Sequence, residues 1–384
     1  MKIILQGIFL LPLFFIACNG QSNKTADTVY KIDTLVQSCV NLNKFSGNIL
    51  ISKEGKIIFE KSYGLADREL NIPNSRITKF RIGSMTKQFT AVLIMQLVES
   101  GKLDLQAPIT KYLNYYRKDF GDSITIHHLL THTSGLGEYS KRPDFFSDIS
   151  KRAYTHKEFI KEYCSDSLLS RPGSQFKYSN AGYYILGAII EEITQKSYAD
   201  VLQNKILDVA GMKNTGVENS SSFIKDIAKG YNLNLGKYSN ADYIDISSSV
   251  FSAGAIYSTT DDLLLWDKAL FADKLISQKS RSLMLTPYIE NYAYGVFVAK
   301  FLAPDLNIEK HFVSHQGGIN GFRSFMTHIV DEDILIILLC NNFDTDLNSI
   351  NNAIVAILYN QPYSIPNYDI NKTKIFYYSP FLNK

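Results

Sequence analysis

Apolar residues at Val29, Ile32, Val36, Cys39 and Val40 recur at helical spacing and predict an amphipathic first helix. Residues 47–52 and 56–63 then alternate around Glu54-Gly55, as the two arms of a hairpin do. Lys79 to Ile82 reads as extended chain entering a turn at Gly83. From Met85 to Glu99 the chain is apolar on most sides, holds no Gly or Pro, and stops before Gly101. That pattern predicts a buried central helix. A second strong helix is expected over Ala181–Thr194, within a mostly helical stretch from Ser84 to about Asn214. Strand patterns return at 294–298, 311–328 and 333–340, and a last helix is expected over Ile350–Leu358.

Strands at both chain ends with helices between them predict an α+β fold. An antiparallel sheet is flanked by terminal helices, and a mostly helical region is inserted at about 100–245. The domain proper is expected over 29–360, with 361–384 as an appended tail. Ahead of it, Ile3 to Ala17 is apolar apart from Gln6, short for a membrane span, and ends in Phe15-Ile16-Ala17-Cys18. Residues 1–18 resemble a bacterial lipoprotein signal. Cys18 would then be the lipidated N-terminus and 19–28 a polar tether. The expected location is the cell envelope, periplasm-facing or on the outer membrane, with the membrane met through that anchor.

Composition narrows the picture slightly. The chain has 384 residues, with 40 basic against 37 acidic side chains dispersed along it, so no nucleic-acid surface is expected. Cys39, Cys164 and Cys340 are far apart and suggest neither a disulfide framework nor a metal cluster. His128 and His132 are four apart, a spacing that can hold zinc, but Leu129 stands where a His-Glu-x-x-His site needs its glutamate. No metal or other cofactor is expected.

The chemistry rests on three short motifs in order: Ser84-Met85-Thr86-Lys87, Tyr178-Ser179-Asn180 and His315-Gln316-Gly317. Together they suit acyl transfer through a serine ester. Ser84 falls in the first turn of the central helix, where unpaired N–H groups favour developing negative charge, and Lys87 shares its face. A desolvated Lys87 can lower the serine's effective pKa or take its proton. Tyr178 lies in the loop leading into the 181–194 helix and can act as base to the serine, then as acid to the leaving group. Asn180 can offer its amide to a substrate carbonyl or to Lys87. Gly317 and Gly318 let a substrate backbone approach, and a backbone N–H after Gly317 can join that of Ser84 around an oxyanion. His315, unlike a lysine, carries only a conditional charge. Carboxylate-bearing substrates are therefore expected to bind better as pH falls through its titration. Ser174-Gln175-Phe176-Lys177, Ser222-Phe223-Ile224-Lys225 and Tyr238-Ser239-Asn240 repeat two of the patterns, but in turn-like or polar settings that read as structural.

These motifs resemble the serine β-lactamase and penicillin-binding protein superfamily, in its class C β-lactamase-like branch of D-alanyl-D-alanine carboxypeptidases, D-aminopeptidases and esterases. The likeness runs from about 30 to 358 through FRIGSMTKQFTAVLIMQLVESGKLDL, ITIHHLLTHTSGL, PGSQFKYSNAGYYILGAIIEEIT and SAGAIYSTTDDLLLW. It implies Ser84 as nucleophile, Lys87 and Tyr178 as its proton network, Asn180 as substrate orienter and the Gly318 N–H as oxyanion donor. Many members have Lys-Thr-Gly where this chain has His-Gln-Gly, which points away from β-lactams. The expected function is an exported serine hydrolase acting on small peptides of D-amino-acid type, amides or esters. The alternatives are a penicillin-binding or sensor protein acylated without efficient turnover, or a true β-lactamase.

Overall fold

The computed structural model describes residues 19–366 apart from 220, 222, 235 and 304–307. The signal segment with Cys18, Ser222 and the tail beyond 366 lie outside the described residues. A six-stranded sheet organises the chain. Helix α1 (Asn19–Asn41) leads into strands β1 (Gly47–Lys53) and β2 (Lys56–Tyr63), the expected hairpin. Strands β3 (Phe297–Ala303), β4 (Ile308–Ile319), β5 (Phe322–Ile329) and β6 (Ile334–Cys340) come from the far end of the sequence, before the last helix, α6 (Leu347–Leu358). The order is β3-β4-β5-β6-β1-β2, and every pairing is antiparallel. β5 and β6 are buried throughout because both faces of the sheet are covered. On one face Ile49, Ile336, Leu338 and Phe325 pack under α1 and α6. On the other, Leu50, Ile337, Leu339 and Met326 pack against the helical region.

That region centres on α2 (Thr86–Glu99), α3 (Ile126–Leu130), α4 (Asn180–Thr194) and α5 (Thr260–Phe271). α2 is surrounded, as its sequence predicts: only its last turn reaches solvent, and Phe89 stacks on Trp266 at 3.9 Å. No helix among the described residues is long and apolar enough to cross a membrane.

Four local expectations need correction. α1 begins at Asn19, so residues 19–28 continue the helix rather than forming a loose tether; the stretch has no proline, and Asp27 pairs with Lys31 one turn on. The strand expected at Tyr294–Val298 starts at Phe297 instead. Gly295 makes a left-handed turn (φ 77°) against α2, where a Cβ would come 2.7 Å from the Lys87 carbonyl oxygen. Tyr238 lies in a strand, Lys237–Asn240, paired with Tyr231–Asn234 around a left-handed Gly236. Gly216–Val217, within the expected helical insertion, is a strand that joins Phe80–Arg81 and Ile256–Ser258 on either side of it in a small sheet.

Candidate active site

The small sheet fixes the turn that presents the serine. Ile82 N–H donates to the Ile256 carbonyl at 2.9 Å, and the Arg81 guanidinium forks onto Glu218 at 2.6 and 2.7 Å. Gly83–Met85 then forms one tight turn leading into α2, so Ser84 stands at the helix start. Gly83 has φ 51°, and a Cβ there would come 2.9 Å from the Gly318 nitrogen. The turn of Ser84 and strand β4 can meet this closely only because Gly83 has no side chain.

Lys87 is fully buried in the first turn of α2, three residues on from Ser84. Its Nζ donates to Asn180 Oδ1 at 2.7 Å and to the Ala253 carbonyl at 2.8 Å, and lies 3.1 Å from Ser84 Oγ. Burial pulls its pKa down to about 7, opposed by the negative charge of Glu138. Two obligate acceptors match the two N–H groups of a neutral amine, which leaves its lone pair for the Ser84 hydroxyl proton.

Tyr178 also hydrogen-bonds Ser84, and burial pushes its phenol far above its ordinary value. It therefore stays protonated at any working pH. A protonated phenol can donate and act as an acid but not as a first base, whereas the neutral Lys87 amine can accept a proton. The Tyr178 ring lies 4.1 Å from that of His132, whose Nδ1 accepts from the Ser179 N–H at 3.2 Å.

Asn180, the first residue of α4, is held on both sides. Its backbone N–H and Nδ2 donate to Glu138 at 2.6 and 3.1 Å while Oδ1 accepts from Lys87. Asn180 thus makes the Lys87 contact expected from sequence, and it also lines the cleft beside Ser84. Glu138 escaped sequence reasoning because its partners are 42 positions away; the only signal is its place just after the His-Thr-Ser-Gly-Leu run.

Asn320 and Gly321 form the turn between β4 and β5, which makes Ile319 and Phe322 the closing pair and Gly318 the partner of Arg323. Antiparallel alternation then turns the Gly318 N–H away from β5. On that side β3 pairs only as far as Phe297 opposite Ser314, leaving residues 315–319 an open edge beside Ser84. His315 departs from expectation. It is almost wholly buried; Nδ1 lies 2.6 Å from the Gln316 carbonyl, to which it donates, and Nε2 lies 3.3 Å from the Tyr292 hydroxyl. Burial and the Lys87 charge press its pKa down to about 3, so it holds no charge in the physiological range. Both ring nitrogens are engaged, and His315 forms a neutral wall rather than a titrating clamp.

Ser84, Tyr178, His315, Gly317 and Gly318 share one cleft with a cavity volume of about 190 Å³. The rival motifs lie elsewhere. Ser174 Oγ donates to the Arg171 carbonyl within its turn, and Tyr238 donates to Asn43 under the Arg68 guanidinium. His127 bonds the Tyr294 hydroxyl at 2.8 Å and His128 caps its own helix, while the left-handed backbone of His132 (φ 54°) carries its ring off to Tyr178. Among the described residues no cluster of His, Cys, Asp and Glu is placed to hold a metal ion. Cys39, Cys164 and Cys340 are buried free thiols.

A serine at a helix start, a buried lysine one turn on, a tyrosine from the helical region and a glycine-lined strand edge define the architecture of the serine β-lactamases and penicillin-binding proteins. The chain belongs to the Beta-lactamase family, whose profile matches residues 32–363. It is 31% identical over 337 residues to PbpX of Bacillus subtilis, which is named as a penicillin-binding protein; the match covers 87% of this chain and 80% of that one. A penicillin-binding protein from Bacillus halodurans superimposes with a TM-score of 0.73 at 27% identity, over 85% of this chain and 98% of its own. The D-amino acid amidase of Ochrobactrum anthropi shares the fold at 24% identity, with a TM-score of 0.75 over 87% and 99% of the two chains.

Proposed function

We propose that this protein is a serine hydrolase that forms an acyl-enzyme on Ser84 and acts on small peptides, amides or esters. The observation that carries the reading is the Lys87 amine, 3.1 Å from Ser84 Oγ, with its other two contacts fixed on acceptors. Neutral Lys87 removes the serine proton as Oγ attacks the scissile carbonyl. The oxyanion is met by the N–H groups of Ser84 and Gly318. Tyr178, protonated, delivers a proton to the leaving nitrogen or oxygen and is resupplied from the Lys87 ammonium. A water then repeats the sequence on the ester and releases the acid and Ser84. The amidase relative acts on D-amino acid amides by its name, which supports a peptide or amide substrate here.

The test is labelling with a fluorophosphonate alongside turnover of a chromogenic ester. Native protein should label once and turn the ester over. Ser84→Ala should lose the label and at least ~10³-fold in turnover, as serine nucleophiles do. Labelling of the native protein without turnover would favour an acylated sensor. Labelling that survives Ser84→Ala would remove Ser84 from the role.

A further inference from the structure

Helix α3 closes in a left-handed turn at His132 (φ 54°). The His132 N–H donates to the Leu129 carbonyl at 3.3 Å, and the Thr133 N–H donates to that of His128 at 2.9 Å. Glycine or asparagine usually fills such a place, because each adopts that backbone readily. Here it carries an imidazole that is 1% exposed, packed among the rings of Phe176, Tyr178, Tyr183 and Tyr292.

His132 holds the chain on either side of Tyr178. Its carbonyl accepts from the Lys177 N–H at 2.8 Å, and its Nδ1 accepts from the Ser179 N–H at 3.2 Å. Burial keeps the ring neutral, and with Nδ1 accepting, the ring proton belongs on Nε2. Nε2 is buried and meets no hydrogen-bond partner among the described residues. A buried donor left unmatched lowers stability. Asparagine would close α3 equally well and could accept from Ser179 through its amide oxygen. What histidine adds is a flat ring, centred 4.1 Å from that of Tyr178 and tilted 33° to it.

Tyr178 stands in the loop ahead of α4, outside helix and strand, so its aim depends on what packs against it. Its phenol must point at Ser84 Oγ and at the departing atom together. Lys87 Nζ, 4.9 Å from the ring centre, becomes an ammonium as the serine attacks, and a neutral imidazole adds no opposing charge there. We infer that His132 is the positioning residue of the acid step: its ring aims the Tyr178 phenol at the leaving group and itself neither gives nor takes a proton. The inference rests on the hydrolase reading of Ser84, which it deepens by naming what aligns the acid.

The experiment presents one acyl group as its 4-nitrophenyl ester and as its ethyl ester. Nitrophenolate departs without a proton, whereas ethoxide must be protonated as it leaves. Release of the alcohol reports acylation of both, with or without turnover. His132→Asn should lose ~10²-fold on the ethyl ester, the cost of a misplacement near 1 Å, and less than about fivefold on the nitrophenyl ester. Fluorophosphonate labelling, which expels fluoride, should follow the nitrophenyl ester. His132→Phe keeps a ring against Tyr178 and should hold the ratio of the two esters within about threefold of native. That ratio is read on one sample, so it does not depend on the fraction that folds. Tyr178→Phe should show the same selective loss. Adding His132→Asn to it should cost nothing more on the ethyl ester, because a residue that acts through the phenol has no effect without it. Equal losses on the two esters, a full further loss in the double variant, or a ratio as low in His132→Phe as in His132→Asn would overturn the assignment. Native protein that takes no label and releases neither alcohol would overturn the hydrolase reading and the assignment with it. Native protein that is acylated by both esters, with an unchanged ratio in His132→Asn, overturns the assignment alone.

Discussion

Lys87 and Glu138 meet across Asn180, and in the proposed mechanism they set the pH at which Ser84 is activated. A carboxylate on one side of that amide orients it, so that Oδ1 faces Lys87, and its charge raises the proton affinity that burial has lowered. The net value of about 7 implies an acid limb: acylation rises with pH as Lys87 loses its proton and levels off above. Glu138→Gln removes the charge and places a donor against Asn180 Nδ2, which favours a flipped amide whose N–H groups face Lys87. Both changes lower the lysine's proton affinity. The limb in a pH series of fluorophosphonate labelling should therefore move to lower pH, and the plateau should fall because the lysine's lone pair is diverted from Ser84. A limb that stays put or moves upward would remove Glu138 from this role. No limb belongs to His315, whose titration lies near 3; the pH-dependent carboxylate binding expected from its sequence position does not follow once Tyr292 and Gln316 occupy its nitrogens.

At the scale of elements, the proposed catalysis depends on how closely the serine turn and β4 approach. Ser324 on β5 donates to the Ile82 carbonyl at 2.7 Å and ties the sheet to that turn, while Gly317 leaves room for the contact. Gly317→Ala drives a methyl group into the Ile82 carbonyl and into Ser324 Oγ, 2.3 Å away, so the strand must retreat. Stability should fall by ~1–3 kcal/mol, as in overpacked cores. A displacement near 1 Å at the oxyanion donor should cost ~10²-fold in acylation. Native melting together with native acylation in this variant would show the approach to be slack. The elements themselves were legible because their signals are local. The 47–63 hairpin declares itself by alternation, and α2 and α4 by long apolar runs without breakers. Ser84, Lys87 and Tyr178 were legible as a set because each motif sits at an element start. What stayed hidden depends on distant partners. The start of β3 is set by the fit of Gly295 under α2, the engaged state of Asn180 by Glu138, and the neutrality of His315 by rings that the fold gathers around it.

For the whole molecule, burying this much proton chemistry shapes stability. Lys87, His132 and His315 are buried bases whose pKa values lie below those of the unfolded chain. Wherever such a group is neutral in the fold but charged when unfolded, the unfolded state binds more protons and stability rises with pH. For His315 the rise runs from about 3 to about 6.5, and His132, held well below its ordinary value by burial, acts in the same direction. For Lys87 it runs from about 7 to about 10.5. The opposite sign belongs to His328 and Asp267, paired at 2.9 Å in the core and both raised, and to buried tyrosines such as Tyr183 and Tyr184. These hold protons that the unfolded chain gives up, so the pair erodes stability through the acid and neutral range and the tyrosines do so from about pH 10 upward. Between pH 7 and 9 Lys87 contributes a rise of ~1.4 kcal/mol per pH unit; the buried thiols of Cys39, Cys164 and Cys340, all raised by burial, oppose it from about pH 9. Urea unfolding at fixed salt should therefore give stability that still climbs from pH 7 to 9. Lys87→Met, which keeps the volume and removes the charge, should flatten that climb, exceed the native protein at pH 6 and be inactive. A native profile already flat above pH 7, or a methionine variant weaker than native at pH 6, would mean that the contacts of Lys87 with Asn180 and Ala253 outweigh the cost of its burial, and that the site holds its base without loss of stability.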